Sequence, residues 1–348
     1  VNVTGIPRIA VDVGGTTRYA TYTSGTGTNA LTFTLAPQAG DVDLDGVTVS
    51  SPIQLNGGTM KDTKGNNATL TFTPPNTANV KVNYPSLSMD FVYDADGRYT
   101  LNGTPYNDLS SFLTAAGGSF TRASIGTYYN STGTLQTATA NTPRFDYAPG
   151  THTAKGILIE ESRSNLLTNS TGSSYVHSTV SVTPNIITTA VENLHRYTSV
   201  TTGQSRVEVG PIVPASNTYT ASWYVKKDTS SRYAYIGIYD GADSWAYLDL
   251  NTGTVGTGGG GAITNPQATN IGNGIYRFSA TCTRGGTSSV TPFKFGIAES
   301  FITNLNSSTL VGSSILAGNF QVEVGSFATS YIPTTTTTVT RGADLLTV

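Results

Sequence analysis

Short stretches in which apolar and polar residues alternate dominate this chain. The runs 31–35 and 68–73 alternate leucine or phenylalanine with other residues, mostly threonine. In the longer run 219–226, the residues that share one face are Tyr219, Ala221, Trp223 and Val225. A period of two is typical of half-buried β-strands, whereas amphipathic helices need a period of 3.6. The pattern predicts an all-β chain, with a short helix near 109–115 as its exception.

Composition and charge support this fold class and narrow the range of partners. The 348 residues include 59 threonines, a residue that favours strands, and only 11% of residues are charged. The 19 basic and 21 acidic residues give a net charge of −2. Because no basic excess is available to follow a phosphate backbone, we expect no nucleic-acid partner. No apolar run approaches the ~18 residues of a membrane helix, so we expect no membrane span.

The start of the chain and its single cysteine add two expectations. The chain begins at Val1 without a signal-peptide pattern, so we expect a processed chain or part of a longer polypeptide. Cys282 has no partner for an internal disulfide. Alternation in the segment 274–282 places it on the same face as Tyr276 and Phe278, which predicts a thiol in the core.

The regularity with which apolar and polar residues alternate divides the chain into three regions. Short alternating runs separated by glycine-rich turns suit an immunoglobulin-like β-sandwich over 1–84. The region 85–168 is less periodic and predicts a connector of turns and short strands. Strong alternation returns over 169–348, where the strands suit a jelly-roll sandwich. The threonine-rich tail at 333–340 is either a final strand or an extended arm lying on a neighbour.

A candidate cation site lies in the first region. Asp41, Asp43 and Asp45 alternate with apolar residues just before a glycine, as at the opening of an EF-hand Ca²⁺ loop. Such a loop needs an acid at its twelfth position, which here is Pro52. Two interpretations stay open: a weaker Ca²⁺ site assisted by Asp62, or a polar turn whose aspartates cap backbone amides. Apart from this Ca²⁺, we expect no cofactor.

A candidate sugar platform lies in the third region. Alternation in 233–239 places three tyrosines on the face opposite an alanine and two isoleucines, and carboxylates and a tryptophan follow. Sugar rings stack on aromatic faces, while their hydroxyls need polar partners. The candidate carbohydrate-binding residues are therefore Tyr233, Tyr235, Tyr239, Asp240, Asp243 and Trp245. The alternative is two packed faces within a sandwich or a subunit interface.

Catalytic motifs are weak, and we expect no enzyme. His152, His177 and His195 show no metal-ligand spacing, and no Gly-x-Ser-x-Gly elbow occurs. Asp240 with Asp243, or Glu160 with Glu161, have the residue types of a glycosidase pair, but such spacings also arise by chance. We interpret Glu160, Glu161 and Arg163 as a structural ion-pair cluster in the connector.

Several segments carry a resemblance to a known group of proteins. The second and third regions resemble a recurrent module of tailed-bacteriophage virion proteins, through the segments 120–124 (FTRAS), 143–146 (PRFD) and 156–167 (GILIEESRSNLL). A jelly roll similar to carbohydrate-binding modules follows, marked by 222–226 (SWYVK), 272–277 (GNGIYR), 320–334 (FQVEVGSFATSYIPT) and 339–344 (VTRGAD). At Ile275, relatives commonly have tryptophan. Through the segments 31–34 (LTFT), 40–46 (GDVDLDG) and 55–62 (LNGGTMKD), the first region resembles immunoglobulin-like repeats of bacterial surface and phage fibre proteins.

The resemblance implies a non-enzymatic structural protein on the virion surface, either a tail fibre or a capsid decoration protein. It would adhere to host surface glycans or decorate the particle, and its partners would be other virion proteins. The resemblance also implies a homo-oligomer, with a trimer favoured. Two alternatives remain: a bacterial surface or extracellular filament subunit, and a polysaccharide-degrading tailspike, for which the chain has no β-helix repeat.

Overall fold

The fold was analysed in a computed structural model. The structure describes residues 1–84, 86–95, 97–173, 179–188, 193–209, 217–240, 242–285, 293–302, 304–308 and 311–348. Among these residues, no helix has the length and apolar character needed to cross a lipid bilayer.

The predicted all-β fold class is confirmed, because antiparallel strands form nearly all of the regular structure. The chain divides into two compact units. Unit 1 comprises residues 1–90 and 94–118, and unit 2 comprises residues 91–93 and 119–348. The region predicted as a connector, 85–168, is therefore shared between the two units.

Unit 1 consists of short strands and one helix. Its strands are β1 Asn2–Thr4, β2 Arg8–Val13, β3 Thr16–Ser24, β4 Thr32–Thr34, β5 Asp41–Asp43, β6 Thr48–Val49, β7 Thr59–Lys61, β8 Val82–Tyr84, β9 Leu87–Met89, β10 Tyr99–Leu101 and β11 Thr104–Tyr106. The strand order of its largest sheet is β4-β3-β2-β6, and β1 pairs with β7, β5 with β8, and β9 and β11 with β10. Valines from β2 and the segment before β6 form a small core.

The helix, α1 Leu109–Ala116, was predicted at almost these bounds. Asp108 caps its first turn, accepting a hydrogen bond of 2.7 Å from the amide of Ser111. Gly117 ends it in the left-handed conformation, at φ 72°, where a glycine is favoured. The buried face packs on β10, where the rings of Phe112 and Tyr99 stack with centroids 5.5 Å apart.

The prediction of a strand at 68–73 is wrong, because this segment forms no continuous ladder with a neighbour. The predicted alternation of more buried and more exposed side chains is confirmed. Leu70 and Phe72 are half-buried between exposed threonines, as the pattern indicated. The segment makes only separate bonds to different neighbours: the amide of Ile53 donates to Leu70, and the amide of Phe72 donates to the Ser51 hydroxyl. Without a continuous partner, an extended segment forms no regular sheet.

Unit 2 contains the longer strands. They are β12 Ser119–Thr121, β13 Gly126–Tyr129, β14 Leu135–Ala138, β15 Phe145–Tyr147, β16 Ala154–Ile157, β17 Arg163–Asn165, β18 Val180–Thr188, β19 Asn193–Ser199, β20 Ser205–Val209, β21 Thr218–Lys227, β22 Tyr233–Tyr239, β23 Asp243–Asp249, β24 Val255–Gly259, β25 Ile263–Gly272, β26 Ile275–Thr283, β27 Phe293–Ala298, β28 Ser300–Ile302, β29 Asn304–Ser308, β30 Ser314–Val324, β31 Val339–Arg341 and β32 Leu345–Thr347.

Two antiparallel sheets of unit 2 form a sandwich. Their strand orders are β18-β19-β30-β21-β26-β25 and β20-β27-β22-β23-β24, and the chain passes repeatedly from one to the other, as in jelly rolls. Both sheets contribute to one core, in which Trp223 and Phe320 of the six-stranded sheet contact Phe295 of the five-stranded sheet. Cys282 is fully buried in this core, as predicted, and burial raises the pKa of its thiol to about 12.

The motif segments before and after the sandwich strands pair with one another. β12 pairs with β32, and β17 pairs with β31. The threonine-rich tail therefore enters a strand of its own unit at β31. Thr334 at the beginning of that tail is buried and bonded to Ser170.

Candidate functional site

A buried ionic network joins the motif segments of unit 2. Arg122, Arg144 and Arg341 are each at most 1% exposed, and they surround the carboxylates of Glu160 and Asp344. These five residues come from sequence positions up to 222 residues apart. Burying several charges together is favourable only when each of them is paired and hydrogen-bonded.

The two carboxylates divide the three arginines between them. Asp344 bonds Arg122 at 3.0 Å and Arg144 at 2.5 Å. Glu160 bonds Arg144 at 2.8 Å and Arg341 at 3.2 Å. Burial raises the pKa of Glu160, but the charges of Arg341 and Arg144 outweigh this effect, so the pKa lies below its usual range. Arg144 therefore bridges the two carboxylates.

The network holds one segment, residues 326–334, which we call the strap. Both oxygens of Glu160 accept hydrogen bonds from Ser330, at 2.7 Å from its amide and 2.6 Å from its hydroxyl. Glu323 on β30, fully buried, binds the amide and hydroxyl of Thr329 in the same way, at 2.9 and 2.7 Å. Buried carboxylates thus fix the position of the strap on the outer face of the six-stranded sheet.

A polar groove lies between the strap and the edge strand β25. It consists of two adjoining cavities of about 210 and 250 Å³, which share Thr269, Arg277 and Ala328. The larger one is lined mainly by polar side chains of β21, β25 and β26, namely Thr220, Asn265, Gln267, Ser279 and Thr281. Together the cavities fall in the range of about 300–1,000 Å³ that is typical of small-ligand sites.

Aromatic side chains flank both ends of the polar groove. In the smaller cavity, the hydroxyls of Tyr129 and Tyr224 lie 2.8 Å apart. At the far end, Phe327 of the strap is 52% exposed, with the guanidinium of Arg163 5.1 Å from the centre of its ring. An exposed ring beside hydroxyl and amide groups offers both types of contact that a sugar needs.

A charged pair closes the smaller cavity. Asp146 accepts a hydrogen bond of 2.8 Å from the amide of Tyr129, and its other oxygen lies 3.2 Å from the ammonium of Lys155. The Lys155 side chain is 53% exposed. Both charged groups therefore line the cavity, where a ligand could contact them.

The six residues of the predicted sugar platform lie elsewhere, on the five-stranded sheet. The predicted alternation is confirmed, because Ala234, Ile236 and Ile238 are in the core. The outward tyrosines differ in access: Tyr235 has no exposed surface, Tyr233 is partly exposed and Tyr239 is 50% exposed. Among the residues after β22, Trp245 is only 5% exposed, and it clusters with Tyr235.

Glycines on neighbouring strands explain why these aromatic rings are buried. A Cβ atom at Gly296 would overlap the Tyr235 ring, and one at Gly258 would lie 2.5 Å from the Trp245 ring. Each ring therefore lies across its neighbouring strand, a close approach that only glycine allows. The hairpin β28–β29 also lies beside β23 and β24. Of the three tyrosines of the predicted platform, Tyr235 is thus inaccessible to a ligand and Tyr233 is only partly accessible.

The carboxylates of the predicted platform already have cationic partners. Asp240 bonds Arg284 at 3.3 Å, and Asp243 bonds Lys294 at 3.4 Å. The second acidic pair that the sequence offered also has structural partners. Glu161 pairs with Arg163 at 2.5 Å, while Glu160 belongs to the buried network. The predicted cluster of Glu160, Glu161 and Arg163 is therefore two separate groups.

The structure favours the polar-turn interpretation at the candidate Ca²⁺ site. All four oxygens of Asp41 and Asp43 are engaged, by Arg18 and by the amides of Gln38, Gly14 and Gly46. The hydrogen bond from Arg18 lowers the pKa of Asp41. Asp45 is exposed, and Asp62 caps its own turn at Asn66.

Across the described residues, no group of three or more His, Cys, Asp or Glu side chains is arranged to hold a metal ion. His152 and His195 belong to the described residues, whereas His177 lies outside them.

The residues of the polar groove are absent from the candidates that the sequence pattern predicts. Arg277 was noted only as part of a motif, although alternation along 274–282 already placed it on the face opposite Cys282. An arginine among serines and threonines on the outer face of a strand was the available signal. Its pairing with the strap could not be read locally, since Thr329 lies 52 residues further along the chain.

Comparisons with known proteins identify no family. The chain matches no protein-family model, and no curated protein sequence matches it significantly.

Proposed function

We propose that this chain is a non-enzymatic structural protein of a virion surface that adheres to host glycans through the polar groove. The groove itself carries this proposal: an exposed aromatic ring, a row of hydroxyl and amide side chains and a guanidinium lie together on one accessible sheet face. Phe327 offers its ring to the apolar face of a sugar, and Asn265 and Gln267 offer hydrogen bonds to its hydroxyls.

Rigid support of the groove suits adhesion. The floor is a continuous antiparallel sheet, and the strap that forms one wall is tied down by Glu160 and Glu323. A preorganised site loses little conformational entropy on binding, so even weak sugar contacts contribute to affinity. Repetition of the site in a homo-oligomer, with the trimer favoured by the resemblance, would add avidity.

Electrostatics favour binding over hydrolysis. Two carboxylates, Asp146 and Glu160, line the smaller cavity, as a glycosidase would require. A general acid needs a raised pKa, however, and the charges of Arg341 and Arg144 lower that of Glu160. All of its hydrogen-bonding capacity is directed to the strap and to arginines. This supports a structural role for Glu160.

The virion location rests on the resemblance of the motif segments, whose arginines and acids form the buried network. Labelling of intact particles with an antibody to 169–348, viewed by electron microscopy, tests it. Label on the tail or head supports a fibre or a decoration protein, respectively. Absence of label from virions would favour a subunit of a bacterial surface filament.

The binding function is tested with an array of host surface glycans. Two variants each remove an aromatic ring that is about half exposed: Phe327→Ala in the groove and Tyr239→Ala on the five-stranded sheet. We expect the first to weaken binding about tenfold, which corresponds to the loss of roughly 1.4 kcal/mol of ring contact, and the second to bind like the parent. Binding lost only in Tyr239→Ala would contradict the proposal, as would a chain that binds no glycan.

A further inference from the structure

The guanidinium of Arg277 differs from the other buried arginines of unit 2 in its partners. Its Nη2 donates a hydrogen bond to the carbonyl of Thr329 and lies 3.4 Å from the hydroxyl of Ser222. Its Nε is buried without a hydrogen-bond partner, and within the described part of the chain no carboxylate pairs with it. A guanidinium that is hydrogen-bonded only to neutral groups retains donors for an anion.

Charge counting around the strap leads to the same conclusion. Four guanidiniums lie in or beside the network, and three carboxylates face them: Glu160, Glu323 and Asp344. The pairs Asp146–Lys155 and Glu161–Arg163 are each neutral. Among the residues that the structure describes, one positive charge is therefore left uncompensated. The carboxylates nearest Arg277 cannot turn towards it, because Thr329 and Ser330 already occupy them.

The position of this charge makes it useful for binding. Arg277 lies at the junction of the two cavities, and its neighbours on β25 and β26 present hydroxyl and amide groups. Arg277 is partly exposed and lines both cavities, and its ladder neighbour Thr269 is exposed, so a ligand in the groove would contact the Arg277 side chain. If the anionic group of a sugar bound at this point, the adjoining hydroxyls of that sugar would lie within reach of Gln267 and Ser279.

We infer that the polar groove binds an acidic glycan, with a carboxylate of the sugar seated against the Arg277 guanidinium. The inference rests on the proposed glycan-binding function and specifies its ligand class. A planar fork of N–H donors matches a carboxylate in two parallel bonds, which a neutral sugar hydroxyl cannot reproduce. The exposed ring of Phe327 would stack on an adjoining sugar unit.

The test compares acidic tetrasaccharides with their carboxyl-reduced counterparts by titration calorimetry on the full chain. The probes are tetragalacturonate, a tetramer of guluronate and a tetramer of sialic acid, each with the neutral form in which its carboxylates are reduced to alcohols. We expect at least one acidic probe to bind about tenfold or more tightly than its neutral form, and added salt to weaken only the acidic one.

Single substitutions test whether the preference for the acidic probe depends on Arg277. Arg277→Gln should abolish the preference for the acidic probe, and Arg277→Lys should retain part of it, because lysine keeps the charge without the fork. The matched control is Arg206→Gln, which removes a strand arginine of the five-stranded sheet and should bind like the parent. Thermal unfolding of each variant checks that it is folded.

Three results would overturn the inference. The first is equal binding of acidic and neutral probes, which would leave the glycan-binding function in place. The second is an acidic preference that survives in folded Arg277→Gln. The third is binding of none of the six probes; in that case, the glycan array with Phe327→Ala separately decides whether the groove binds any sugar.

Discussion

The two outer faces of the unit 2 sandwich both carry aromatic side chains, but the described residues of the two faces differ in their access to solvent. On the five-stranded sheet, Tyr235 and Trp245 lie across glycines of adjacent strands and are almost completely buried. On the six-stranded sheet, polar side chains of β25 and β26 remain open beside the strap. Aromatic content alone therefore does not mark a binding face. Access and an uncompensated charge distinguish the groove.

The two faces also differ in what supports them. Rings over glycines stabilise the five-stranded face through packing. The groove side depends on buried ions, since Arg144, Glu160 and Asp344 determine where the strap lies. Damage to the first face should lower stability and leave binding intact, whereas damage to the network should affect both.

Asp344→Asn should give the largest effect. The change leaves Arg122 and Arg144, both fully buried, without their shared carboxylate. Removing one partner of a buried ion pair costs about 3–5 kcal/mol. Urea unfolding of unit 2 measures this change in the free energy of unfolding.

The control for that variant is Asp228→Asn, whose partner Arg196 is 39% exposed. A partly exposed pair contributes only about 0–1 kcal/mol. Equal losses in the two variants would mean that the buried network does not stabilise the unit as described.

Trp245→Ala should come next. Truncating this 5%-exposed ring removes its packing on Tyr235 and Gly258, at a cost of about 3 kcal/mol in unfolding free energy. Glycan affinity of the folded variant should equal that of the parent. A variant that keeps its stability but loses the glycan would restore the predicted sugar platform.

Acid should have a smaller, graded effect through Glu160. Its pKa is lowered in the folded state, so its contribution to stability is full above the unfolded pKa of about 4.3 and is lost as pH falls through the folded value. Thermal unfolding between pH 7 and pH 2 measures this loss. Glu160→Gln should be less stable at neutral pH and show a shallower decline in acid. A parallel decline in both proteins would contradict the role of Glu160.

Local patterns predicted the faces of individual strands well. The core face of 219–226 and the burial of Cys282 both follow from a period of two, because alternation reflects the pleat itself. The α1 helix was also predicted near 109–115, and its cap at Asp108 is a contact between residues that are close in sequence.

What covers each outer face could not be predicted in this way. Asp344 meets Arg122 across 222 residues, and the ring of Tyr235 lies over Gly296, on a strand distant in sequence. The groove depends on the strap, which Glu160 and Glu323 help to hold on the sheet. Such long-range packing has no signature in the spacing of neighbouring residues.

Amide hydrogen exchange of the full chain, with and without the glycan that binds most tightly on the array, tests the central claim most directly. The account predicts that the ligand slows exchange in β25, β26 and the strap, and leaves β22 and β23 unchanged. Protection confined to β22 and β23 would contradict it and would place the binding face on the five-stranded sheet.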